Sequence, residues 1–112
     1  MRYAIPTSNG VLCAHFGHCE QFAIIDTDEN AKTILKTVFA TPPTHEPGVL
    51  PAWLAEQGVA VVIADGMGSR AQGLFNQNRI KVVVGSASTD PESVVLDYLS
   101  GSLVTGDNVC DH

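Results

Sequence analysis

The sequence predicts one α/β domain over residues 1–112, built on a five-stranded mixed sheet with helices on both faces. Three observations carry that reading. Most of the first forty residues fall into short segments that alternate apolar and polar positions between turn signals, the period of half-buried strands. Two later runs, Val59–Ala64 and Ile80–Val84, are continuously apolar, as strands covered on both faces are. Around them lie three segments with helical spacing of apolar residues. A three-strand meander followed by helix, strand, helix, strand, helix closes as a mixed sheet, because right-handed crossovers put helices on its faces.

Arg2–Pro6 is the first strand, ending at a proline, and Thr7-Ser8-Asn9-Gly10 is a turn with the Asn-Gly hairpin signal. Gln21–Asp26 is the second strand, antiparallel to the first because the connection is short. A polar turn at Thr27–Asn30 leads to the third, Lys32–Ala40. Three prolines in 41–48 remove donors and fix φ, so the sheet cannot continue there. Val49–Gln57 reads as a helix from the apolar residues at 49, 50, 53 and 54, with Gly58 as its stop. Asp65-Gly66-Met67-Gly68 is a tight turn into a helix over Ser69–Asn78, with Ala71, Leu74 and Phe75 inward. The last helix, Asp90–Leu99, has Pro91 at its first position. Residues 101–112 form a polar tail.

Composition narrows the function. The net charge is -6 with only six Lys and Arg, so the basic stripe that displaces counterions from nucleic acid is missing. No apolar run approaches the roughly 20 residues of a membrane span. Met1–Pro6 looks like a strand rather than a signal peptide, which gives a cytoplasmic address by default. Three cysteines are an odd count, arguing against a closed disulfide framework and for free thiols or ligands.

The topology makes a geometric prediction. If the first strand runs upward, residues 7–19 and 41–48 both lie at the upper edge of the sheet. The carboxyl ends of the parallel strands bring 65–68 and 85–89 there too, and ligand crevices in open α/β sheets lie outside those ends. That edge collects His15, Phe16, Gly17, His18 and Cys19, the densest group of potential metal ligands in the chain. The spacing matches no paired zinc-finger element, so an accessible, labile site fits better than a closed structural zinc. His45 reads either as a further ligand or as a solvated loop residue beside Glu46. Gly66-Met67-Gly68 is a short glycine turn, readable as amides facing an anion or as close helix–sheet packing. Cys110 and His112 join the site only if the tail runs back upward, and about 30 Å of extended chain allows it. Cys13, between β-type neighbours, reads as a small buried residue. Paired carboxylates or a Ser-His-Asp set for hydrolysis do not assemble, since Asp26 is expected at the lower edge.

The combination His15-Phe16-Gly17 with Phe22, Gly66-Met67-Gly68-x-x-Ala71 with Phe75, and Gly85 with Tyr98-Leu99-x-Gly101 resembles the dinitrogenase iron–molybdenum cofactor biosynthesis family. That family includes NifX, NafY and the C-terminal part of some NifB proteins. Gly17-His18-Cys19 and Asn108-x-Cys110-x-His112 are similar to small stand-alone members. The resemblance implies a ribonuclease H-like fold without nuclease activity. It also implies a non-catalytic role in binding or carrying iron–sulfur or molybdenum-containing clusters among cofactor-assembly partners, and it supports His15 best among the ligands. Cys19 with His15 or His18 would ligate the cluster, the glycine-turn amides would face its sulfides, and Phe16 would limit solvent. Two other classes stand beside this reading. One is a zinc- or copper-binding or regulatory module acting through a protein partner. The other is a small enzyme with Cys19 as nucleophile and His15 or His18 as base.

Overall fold

The computed structural model describes residues 1–8, 11–12, 20–42, 49–64, 67–85 and 90–101. The elements run β1 (Arg2–Ser8), β2 (Val11–Leu12), β3 (Gln21–Asp28), β4 (Thr33–Ala40), α1 (Val49–Glu56), β5 (Val61–Ala64), α2 (Ser69–Gln77), β6 (Lys81–Val84) and α3 (Pro91–Ser100). The expected succession of three meander strands, then alternating helices and strands, is present, with the two-residue β2 as a strand that the sequence reading did not include.

Alternation along β1 and β3 sorts side chains onto two faces of one sheet. Ala4, Phe22 and Ile24 point to the side where Leu50 and Leu54 of α1 and Phe75 of α2 pack, with Met67 among them. Tyr3, Ile5, Ala23 and Ile25 point to the other side and meet Val94 and Val95 of α3. β5 is buried at all four positions because both faces are covered. Fully buried side chains such as Leu54 and Phe75 each contribute roughly 1.5–3 kcal/mol relative to exposure.

The strands form a continuous path in the order β4-β3-β1-β5-β6, with the two-residue β2 paired to β1 off that path. β3 is antiparallel to β1 and β4, whereas β1, β5 and β6 are mutually parallel. The sheet is therefore mixed and five-stranded along its path, as expected.

Two details depart from expectation. β1 does not stop at Pro6 but continues to Ser8, with Pro6 opposite Phe22. On its other side, pairing with β5 covers Tyr3 and Ala4 and pairing with β2 covers Thr7 and Ser8. Pro6 falls between those two ladders, where a missing N–H costs little. Among the described residues β4 pairs with β3 alone, and Leu35, Val38 and Phe39 are exposed. The register moves from Asp26↔Lys36 to Thr27↔Ile34, which leaves Leu35 as an extra residue. That bulge and Lys36 both discourage another strand from joining this edge.

Helix ends obey local rules. Asp90 caps α3 by accepting from Ser93 N at 3.0 Å, Pro91 sits in its first turn, and Gly101 closes it at φ 79°. Gly58, at φ 81°, ends α1. Val59 then donates its N–H to Leu54 O and Ala60 donates to Arg2 O, so the chain enters β5 two residues later than its apolar run begins.

Candidate functional site

With β1 running upward, Ser8 of β1, Gln21 of β3, Ala40 of β4, Ala64 of β5 and Val84 of β6 all lie at the upper rim. Val49, Ser69 and Pro91 begin their helices at the same rim. The rim predicted from topology is therefore the rim of the folded sheet.

β1 is the centre of that rim. At its upper end Thr7 has two partners, Gln21 of β3 on one side and Leu12 of β2 on the other. β2 thus lies on the β5 side of β1, in line above the place where β5 runs out. Glu20, on the β3 side, donates its N–H to Thr7 O at 2.9 Å. The buried Thr7 hydroxyl donates to Gln21 O at 2.9 Å, and Ser8 Oγ donates to Glu20 Oε1 at 2.6 Å. Leu12 and Glu20 are in this way held on opposite sides of β1, at its carboxyl end.

Other segments are tied down beside it. Gly85 donates its N–H to Ala64 O at 2.9 Å, holding the ends of β5 and β6 together, with φ at 137°. Gln21 Nε2 donates to Thr41 Oγ1 at 3.3 Å where β4 leaves the sheet. Met67 has a fully buried side chain in the α1–α2 cluster, and its carbonyl accepts from Gln72 Nε2 at 2.8 Å. Gly68 is the N-cap of α2, with an extended backbone at φ -65°, ψ 153° and no side-chain cap. Between the two readings of the glycine turn, the Met67 side chain supports packing; only main-chain groups of 67 and 68 remain for a ligand.

His15, Phe16, Gly17, His18, Cys19, His45, Gly66, Cys110 and His112 lie outside the described residues, as does Cys13. Among the described residues no three His, Cys, Asp or Glu side chains group to hold a metal ion. Gly101, from which the tail departs, is at the lower end with Tyr98 and Lys81.

Among the described residues the perturbed ionisations are also at the lower end. The Arg2 guanidinium, hydrogen-bonded to Asp26, holds that carboxyl below the usual range, against partial desolvation. Burial, reinforced by Glu29, pushes the Tyr3 phenol up. A shallow cleft of about 160 Å³ lies beside Arg2, Asp26, Lys36 and Val38. Asp26 is thus at the lower edge, as expected, and far from the rim. Among the described residues no helix is long and apolar enough to cross a membrane.

Sequence reasoning passed over the residues that fix the rim: Thr7, Glu20 and Gln72 act through bonds to main-chain oxygens that no motif announces. Arg70, exposed in the first turn of α2, was also passed over. Its signal was available, since no other Lys or Arg occurs between Lys36 and Arg79.

Comparison with known proteins agrees with this architecture. Residues 1–101 match the family described as dinitrogenase iron-molybdenum cofactor. The chain is 32% identical over 107 residues to the uncharacterised protein MJ0580 of Methanocaldococcus jannaschii, covering 92% of this chain and 89% of that one. The crystal structure of PH0822 superimposes with a TM-score of 0.84 at 27% identity, covering 95% and 96% of the two chains. The apo form of the orange protein from Desulfovibrio gigas shares the fold, with a TM-score of 0.75 at 19% identity over 96% and 93% of the chains.

Proposed function

The chain belongs to the dinitrogenase iron-molybdenum cofactor family, and from that premise we propose that it is a non-catalytic carrier of a metal–sulfur cluster or cluster precursor. Cys19 thiolate with His15 or His18 imidazole would ligate the cargo, with His45 and the tail residues Cys110 and His112 as further donors. The observation that carries this reading is the tethering at Leu12 and Glu20, on opposite sides of the β1 carboxyl end. The described residues that flank the stretch richest in thiol and imidazole, Leu12 and Glu20, are thus both held at the carboxyl end of β1, the end at which open α/β sheets hold ligands. Few protein ligands suit a carrier, because cargo held by exchangeable bonds can be passed on. The strand order β4-β3-β1-β5-β6 with β3 reversed supports the ribonuclease H-like reading of the fold.

Anaerobic reconstitution with iron and sulfide, and separately with thiomolybdate, tests the proposal. The expected result is a coloured, stoichiometric complex that Cys19→Ser loses. Uptake unchanged in Cys19→Ser removes Cys19 from the ligand set. A colourless protein that takes up only zinc replaces the carrier reading with the simple metal-binding one.

A further inference from the structure

We propose that Arg70 makes the rim selective for anionic cargo, a metal–sulfide or thiometalate anion, over a bare metal cation. This rests on the carrier reading above and adds the sign of charge that the site accepts.

The argument is a map of positive charge. The chain has six Lys and Arg. Arg2 opens β1, Lys32 lies in the turn between β3 and β4, and Lys36 pairs with Asp26 at the level of Arg2. Arg79 lies between α2 and β6, and Lys81 opens β6 opposite Val61. These five belong to the lower half of the molecule. The sixth, Arg70, is two residues past Gly68, where α2 leaves the rim. The residues outside the described set contain no Lys or Arg. Arg70 is therefore the one Lys or Arg in the upper half of the molecule, in the first turn of a helix that begins at the rim.

It is also uncommitted. Arg2 is occupied by Asp26 and the Gln57 carbonyl, and Lys81 donates to Tyr98 Oη at 3.1 Å. Arg70 is exposed and forms no hydrogen bond or ion pair among the described residues. The described carboxylates near the rim are engaged elsewhere. Glu20 accepts from Ser8, Asp90 from Ser93, and Glu92 from Thr37 Oγ1 at 2.6 Å.

A chain of net charge -6 repels anions at long range. A carrier of anionic cargo needs a local positive group to offset this, and a guanidinium adds a planar fork of donors suited to several sulfide or oxo acceptors at once. The same group disfavours a free divalent cation.

Equilibrium dialysis with tetrathiomolybdate, and separately with zinc ion, on wild type, Arg70→Gln, Arg70→Lys and Arg79→Gln tests this. Arg79→Gln removes the same charge at the lower end. Arg70→Gln is expected to weaken thiomolybdate binding by about tenfold and to leave zinc binding equal or tighter. Arg70→Lys retains most of the affinity, and Arg79→Gln binds as wild type. Thermal melts confirm folding, since Arg70 is exposed. Thiomolybdate binding unchanged by Arg70→Gln, or weakened equally by Arg79→Gln, overturns the role of Arg70 and leaves the carrier reading intact. A wild type that takes up no thiomolybdate, but does bind an iron–sulfur cluster, overturns this inference and leaves the carrier reading intact. A wild type that binds neither overturns the carrier reading and this inference with it.

Discussion

Arg2 Nε donates to Asp26 Oδ1 at 2.6 Å while Nη2 reaches Oδ2 at 3.3 Å, joining β1 to its antiparallel partner β3 at the lower end of the sheet. A third N–H of the same guanidinium meets the Gln57 carbonyl where α1 ends. One side chain thus fastens two strands and a helix. Both partners are partly exposed, so solvent weakens the pair. Asp26→Asn is expected to cost about 0.5–1 kcal/mol at neutral pH. Because the folded Asp26 ionises below the usual carboxylate range, its stabilisation is full above that range and is lost as acid carries the pH through the folded value. Urea melts of the two proteins should differ at neutral pH and converge in strong acid.

Tyr3 gives the opposite sign at the alkaline end. Burial and the nearby Glu29 raise its pKa, so above about pH 10 the unfolded phenol ionises while the folded one does not. Stability is expected to fall as pH rises beyond that point. In a Tyr98→Phe protein, where Tyr3 is the remaining tyrosine, phenolate absorbance should appear together with alkaline unfolding. Phenolate forming while the fold is intact would contradict the burial of Tyr3.

Met67 separates packing from ligation. Its side chain is fully buried beside Phe75 and Leu54, so Met67→Leu should cost less than about 1.5 kcal/mol. Met67→Ala should cost about 2–5 kcal/mol. Cluster uptake by the leucine variant is expected to equal wild type. A folded Met67→Leu protein that has lost uptake would reassign the thioether to the site.

Two glycines predict opposite effects. A methyl group at Gly73, inside α2, meets nothing within 4 Å, so Gly73→Ala should stabilise by about 0.5–1 kcal/mol. Gly101 sits at φ 79° closing α3, and alanine there should destabilise by about 1–2 kcal/mol despite the open space. Chemical denaturation of both variants checks the pair.

Much of the architecture was legible because burial leaves a period. Tyr3 and Ile5 against Ala4, or Phe22 and Ile24 against Ala23 and Ile25, are sorted by alternation alone, and their two clusters follow. The uncovered edge was not legible. Lys32–Ala40 alternates like a strand with one buried face, yet Val38 and Phe39 point to opposite faces and both are exposed. Sequence period reports which residues share a face, not whether a helix covers it. Pro6 misled for a related reason: its tolerance depends on the gap between the β5 and β2 ladders, a fact about neighbours rather than residues. For the site, topology sufficed to find the rim. The proposed imidazole and thiol ligands lie outside the described residues. The hydrogen bonds of Thr7, Glu20 and Gln72 that define the rim all end on main-chain oxygens, which carry no sequence signature.

The two hydrophobic clusters lie against the faces of the sheet, whereas the connections at the rim run between one element's end and the next element's start. Met67 apart, no described residue of those connections enters either cluster. A lineage could therefore vary cargo by rewriting the connections while inheriting the sheet unchanged, and an engineer could graft new ligands there without redesigning the interior.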